Sequence, residues 1–209
     1  MNDLTWLRLG QILDSGLPTG AFAHSFGLEA YAQEGITASE LEELLKNILA
    51  VNRLEAAALV LAYREDPLET ALWLQAAKPV ASTREASLAL GRRYLTLGKR
   101  LFGLEFPELP YPHQAVVMAV LGKALATNLE YLLLGFNQQK IWHLLQAATR
   151  CLSLSPETAQ EILVRLQPAL VQASKEVLAE PKKWFFSGTV GLELHEAAQP
   201  LLYSRLFKS

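Results

Sequence analysis

The chain has 209 residues, 51% hydrophobic and 19% charged, with 19 Lys plus Arg against 21 Asp plus Glu and a net charge of −2. That balance lacks the basic surplus of a nucleic-acid binder, and the single cysteine, Cys151, excludes an internal disulfide and a thiolate zinc cluster. No apolar run approaches the roughly 20 residues that cross a bilayer. The length suits one domain, taken as 1–209, with a core large enough to need no covalent staples. The first residues, Met1-Asn2-Asp3-Leu4-Thr5-Trp6, lack the basic region of a signal peptide, so a cytoplasmic protein with no membrane partner is expected.

The stretch Leu13 to Glu29 mixes glycine, proline and large apolar residues and does not read as an ordinary amphipathic helix. After it the periodicity is helical nearly throughout. Leu41, Leu44, Leu45, Ile48 and Leu49 mark one helix face. Either Thr37 with Glu40 or Ser39 with Glu42 can form its capping box, and the helix is predicted to run to Arg64, ahead of Asp66-Pro67. Ser82 with Glu85 predicts a start for a helix continuing past Leu101. The segment Phe106 to Pro112 holds three prolines and reads as a stiff connection between two halves of one bundle. Thr127 with Glu130 predicts the next start. Ser155 before Pro156 is an N-cap followed by proline at the first helical position. Pro168 lies inside that last helical pattern and predicts a kink or break. No segment alternates long enough to demand a strand. The expected fold is therefore all-α, a bundle of roughly eight to ten helices with a non-regular, flexible tail over 187–209. The tail carries Leu201, Leu202, Tyr203, Leu206 and Phe207, and wants a surface to bury against.

Catalytic constellations are scarce. No HxxxH or HExxH spacing places two histidines on one helix face, and there is no GxGxxG or GxSxG. Gly98-Lys99 is followed by Arg100 and Gly122-Lys123 by Ala124, so the chain has no phosphate-binding P-loop. His24-Ser25 are adjacent and do not face each other on a helix. Cys151 reads as a small buried hydrophobe, His113 as a capping or packing residue, and His143 as half-buried on a helix face. Arg92, Arg93, Lys99 and Arg100 read as a solvated face.

The stretch Asp14-Ser15-Gly16-Leu17-Pro18-Thr19-Gly20-Ala21-Phe22-Ala23-His24-Ser25-Phe26-Gly27-Leu28-Glu29 resembles the signature of the urease accessory protein family UreF. Further matches follow in order: Thr83-Arg84-Glu85-Ala86-Ser87 with Leu90-Gly91-Arg92-Arg93, then Pro112-His113, then Gln146 to Arg150. His195 and Tyr203-Ser204-Arg205-Leu206-Phe207-Lys208-Ser209 resemble the family's C-terminus. After Arg150 the family commonly has a Leu-Gly-Gln-type turn, whereas this chain reads Cys151 to Pro156.

The resemblance implies an all-α, non-enzymatic adaptor with no cofactor of its own. It would dock on UreD (also called UreH), recruit the GTPase UreG to apo-urease for nickel delivery, and in some members form homodimers. Partner-contact candidates are Pro18, Gly20, Phe22, His24, Ser25, Gly27, Glu29, Arg84, Ser87, Gly91, His195, Tyr203, Ser204, Arg205, Leu206 and Phe207. Phe22 and Phe26, four apart, are expected on one face, and Leu206 and Phe207 are expected to bury on a partner or a second helix layer. An arginine acting on the GTPase would be Arg84, Arg92, Arg93 or Arg205.

Two other classes compete. One is an all-α enzyme or nickel carrier using His24, His113 or Cys151. The other is a helical transcription regulator, which Arg8 as the only basic residue in 1–35 argues against.

Overall fold

The computed structural model describes residues 2–152 and 154–208; the Ser153 position of the turn after Arg150 and the terminal Ser209 lie outside the described residues. Among the described residues there are ten α-helices, three 3-10 turns and no strand. The helices are α1 (Asp3–Leu13), α2 (Leu28–Gln33), α3 (Ala38–Val51), α4 (Leu54–Arg64), α5 (Pro67–Ala77), α6 (Ala81–Phe102), α7 (Gln114–Ala124), α8 (Leu129–Cys151), α9 (Pro156–Ala179) and α10 (Val190–Ala198). No helix of the described residues is long and apolar enough to cross a membrane.

Local signals account for several boundaries. Thr37 and Glu40 form a reciprocal capping box at the start of α3. Ser155 caps α9 through the Thr158 amide, with Pro156 in the first turn. Glu65 closes α4 and Asp66 opens α5, its side chain accepting from the Leu68 amide with Pro67 in the first turn.

Other boundaries differ from expectation. The helix predicted to reach Arg64 breaks at Asn52 and Arg53 into α3 and α4. The break redirects the chain from a one-sided surface helix to one buried on every side, Leu54 through Ala62. α6 begins at Ala81 without a side-chain cap. Asn128, not Thr127, caps α8, because the Thr127 hydroxyl is already donating to the Gly122 carbonyl. α9 runs through Pro168. Pro168 and Val164 both lie on the exposed side, so the carbonyl that proline leaves unpaired, that of Val164, faces water. The tail expected to be non-regular from 187 carries α10 and a 3-10 turn at Gln199–Leu201 before losing regular structure.

Two apolar clusters form the interior. The first gathers α1, α4, α5, α7 and the N-terminal half of α8, with Tyr94 of α6 and Leu109 of the proline-rich connection. Both sides of that connection enter this one cluster. The second gathers α2, α3, the C-terminal half of α8 and the N-terminal half of α9, with Leu192 and Phe207. α8 and α9 pack as an antiparallel pair, tied by Asn137 Nδ2 donating to Ser174 Oγ at 2.9 Å, and supply side chains to both clusters. The second cluster therefore draws in both the N-terminal motif and the end of the chain.

Candidate functional site

The N-terminal motif folds as two tight turns. Gly20 and Gly27 have φ of +86° and +85°, where any side chain is strained, and each opens a short helical turn. Phe22 consequently points outward at 66% exposure while Phe26 is half-buried against the second cluster. The two phenylalanines do not share a face, because the turn at residues 21–23 is 3-10 and Phe26 itself has φ +50°.

The C-terminal segment lies on this motif. Gln199, fully buried, makes the central contact: its Oε1 accepts from Ser25 Oγ at 2.7 Å and from the Gly27 amide at 3.1 Å. Its Nε2 donates to Glu29 Oε2 at 3.0 Å. Glu29 then takes two tail amides, Leu206 on Oε1 at 2.5 Å and Phe207 on Oε2 at 3.3 Å. The Lys208 amide donates to the Ala23 carbonyl at 2.8 Å, and Gln33 Nε2 to the Ser204 carbonyl at 3.1 Å. Phe207 is 5% exposed within the chain's own second cluster. Burial of such a ring contributes roughly 1.5–3 kcal/mol, enough to offset part of the ordering entropy of the tail. Phe207 thus serves this chain's own core, while Leu206 remains exposed.

Arg150 completes the joint. Its Nη1 donates to the Phe22 carbonyl at 2.9 Å, and its guanidinium lies 5.8 Å from the Phe207 ring centroid and 6.0 Å from that of Phe22. Arg93 Nε holds the Pro18 carbonyl at 2.7 Å. His195 stacks on Tyr31 with centroids 3.5 Å apart, its Nε2 3.1 Å from the Glu34 carboxylate. His24 lies 5.7 Å from the Phe26 ring, and burial, then the Lys208 charge, holds its imidazole below the usual value. The Ser25 hydroxyl is committed to Gln199.

Twelve of the residues expected to contact partners therefore lie on the segments joined here, while Pro18 is held against α6 by Arg93. Arg84, Ser87 and Gly91 do not join them. Arg84 donates to the Lys78 carbonyl, Ser87 donates to Glu55 inside the fold, and Gly91 packs against the Pro112–His113 backbone. Ser87 and Gly91 are buried and present no surface, because α6 runs there against α4 and α7. The sequence does not single out Gln199 and Tyr31, and it marks Arg150 only as the end of the Gln146 to Arg150 motif, not as a contact of the terminal segments. Only the folded path brings them beside the motif.

This end presents four large apolar side chains outward, beside the exposed Ser204, Arg205 and Lys208. Phe22, Leu201, Tyr203 and Leu206 are exposed by 66%, 85%, 106% and 70%. His113 and His143 lie elsewhere and inside, while Cys151 is half-buried beside Arg150, near enough to Glu29 to feel its charge. Burial holds His113 and His143 down to about 4, and pushes the Cys151 thiol up to about 11. His143 is buried rather than half-buried. Cys151 Sγ is engaged with the Ala147 carbonyl, and His113 Nε2 lies 3.1 Å from Gln75 Oε1. Among the described residues no three His, Cys, Asp or Glu side chains converge, so His24, His113 and Cys151 form no shared metal site.

The carboxylate of Glu29 is the fastener of the tail, and its loss should be visible locally. Glu29→Gln removes the charge and one of the acceptor oxygens. Hydrogen bonds to charged groups contribute about 1.5–3 kcal/mol, so the Leu206 and Phe207 amides are expected to exchange at least about tenfold faster. Hydrogen exchange read by NMR checks this; unchanged protection of both amides would remove Glu29 from that role.

Comparison with known proteins agrees with the motifs. The sequence pattern of the UreF family matches residues 36–167. The chain is 29% identical over its whole length to urease accessory protein UreF of Nostoc sp., covering 98% of that relative. It is 28% identical to the protein of the same name from Trichormus variabilis, again over the whole chain and 98% of the relative. With urease accessory protein UreF of Bacillus sp. it is 29% identical over 97% of the chain and 98% of the relative. Signature turns, joined chain ends and end-to-end similarity agree, and the chain belongs to the UreF family of urease accessory proteins.

Proposed function

We propose that this protein is a non-enzymatic adaptor of urease maturation in the cytoplasm. It docks on UreD/UreH through the surface made jointly by its two chain ends, and brings UreG to apo-urease, where nickel is the cargo. The observation that carries this reading is the exposed apolar group Phe22, Leu201, Tyr203 and Leu206, set on a backbone fixed by buried polar contacts. Large apolar side chains left this exposed are candidates for burial on a partner, and a pre-ordered backbone lowers the entropy cost of docking. Membership of an accessory family supports the same class of role.

If the adaptor also stimulates the GTPase, the arginine that does so needs a free head group. Arg84 and Arg93 are spent on the carbonyls of Lys78 and Pro18. Arg92 and Arg205 are exposed and are the better candidates.

Co-expression with the matching UreD/UreH protein, followed by size-exclusion chromatography with light scattering, tests the docking. The full chain is expected to form a stable complex, and a version ending at Leu202 to lose it. Absence of a complex between the two folded, full-length proteins would overturn the reading.

A further inference from the structure

α10 covers a mainly apolar cavity of about 90 Å³, bounded by α3, α4, α6, α8 and α9, into which Glu55, Lys78, Lys140 and Glu196 bring charge. Opposite it, Glu55 of α4 engages two ammoniums: Lys78 Nζ at 3.0 Å from Oε1, and Lys140 Nζ of α8 on Oε2. α10 contributes a carboxylate of its own, Glu196. Thr83 Oγ1 donates to Glu196 Oε2 at 3.2 Å, and Ser82 Oγ to the Glu196 carbonyl at 3.3 Å. On its other side Glu196 abuts the N-terminal motif: a Cβ on Gly27 would lie 3.0 Å from both the Glu196 amide nitrogen and Cγ. Glu196 is therefore wedged between α6, the Gly27 turn and the cavity. Among the described residues no ammonium or guanidinium comes within the 4.0 Å of an ion pair with it. The two lysines in reach are held by Glu55, whose own negative charge faces Glu196 across the cavity.

We infer that α10 is a proton-controlled clasp: the tail is closed over the cavity while Glu196 is protonated and loosens when Glu196 ionises. Burial pushes the Glu196 carboxyl up to about 7; Lys78, the Thr83 hydrogen bond and Lys140 pull the other way, and Glu55 adds to the rise. The sign follows from linkage. A carboxyl raised in the closed state favours closure fully below its ordinary value, and that preference is lost as pH climbs toward the raised one.

The other charged groups around α10 do not substitute for it. Glu193, on the same helix, accepts from Ser187 Oγ. Arg53 at the cavity edge is paired with Glu176 and lies over the Trp184 ring at 3.9 Å. His143 of α8 is held neutral down to about 4. On α2, Glu29 is bonded to tail amides, and Tyr31 with its raised hydroxyl stays neutral. His195 sits against Tyr31 and Glu34, a contact that a substitution at Glu196 leaves in place.

Hydrogen exchange by mass spectrometry on the full chain tests the clasp, with rates over 187–208 corrected for the intrinsic pH dependence of exchange. Between about pH 5.5 and pH 7.5 the wild-type segment is expected to open at least about tenfold more. Glu196→Gln, which keeps the shape and removes the titration, is expected to hold a pH-independent opening, and Glu193→Gln to behave as wild type. A flat wild-type profile, or an equal rise in Glu196→Gln, would overturn the inference. The readout needs no partner protein, so its failure would leave the docking reading standing.

Discussion

Replacing Glu55 by alanine is expected to destabilise the fold by about 3–5 kcal/mol, the largest effect of any single polar substitution in the chain. Glu55 is 8% exposed and serves Lys78, Lys140 and the Ser87 hydroxyl. Burial alone would raise its carboxyl. The Lys140 and Lys78 charges and hydrogen bonds outweigh that and hold it far below the ordinary range. Removing the carboxylate leaves two ammoniums without their paired counter-charge, the nearest remaining carboxyl being Glu196 across the cavity, which burial favours in its neutral form. The pH dependence follows in sign: a depressed carboxyl stabilises the fold above its ordinary value, and that contribution is lost as pH falls toward the depressed one. Chemical denaturation at neutral pH checks the loss, and the gap between wild type and Glu55→Ala is expected to narrow in acid. A variant within about 1 kcal/mol of wild type, the range of exposed ion pairs, would mean that the lysines find other partners.

Gly91→Ala is the second large case, and its origin is steric. A Cβ at Gly91 would sit 1.7 Å from the Pro112 carbonyl oxygen and 3.0 Å from the His113 carbonyl carbon. The obstacle is backbone at the entrance of α7, held by Pro112 and by the fully buried His113, so no side chain can swing away. Relief requires α6 to move off α7 along a contact that lines the first cluster. The cost is expected to be about 3 kcal/mol or more, measured as a drop in unfolding free energy. A change below about 1 kcal/mol would show that the α6–α7 contact can open without penalty. This is a packing requirement, and it accounts for a glycine at Gly91 without any partner contact.

The all-α class was legible because the apolar spacing of α3, α8 and α9 is helical and Thr37 and Ser155 announce their caps. The break at Asn52–Arg53 was not legible. Leu54 to Ala62 is apolar on every side, and such a run looks like a continuation of the helix before it. Pro168 misled for the opposite reason: it breaks a helix when its carbonyl partner is buried, and here that partner is exposed. At the site, the two terminal motifs were each visible, and Glu29, Ser25 and Phe207 were named. That they form one site was hidden, because the contacts joining them span some 170 positions and run through Gln199, which belongs to no motif. The same contacts divide the roles: Phe207 turns inward to the core and Phe22, Tyr203 and Leu206 turn outward.

The most direct test of that division is the affinity of the matching UreD/UreH protein for a chain carrying Phe22→Ser, Tyr203→Ser and Leu206→Ser. All three side chains are exposed, so the variant is expected to fold and to keep its thermal midpoint. A dissociation constant raised at least about a hundredfold, roughly 2.7 kcal/mol spread over three apolar side chains, is the result the account predicts. A folded triple variant that binds as tightly as wild type would contradict it and place the docking surface elsewhere on the molecule.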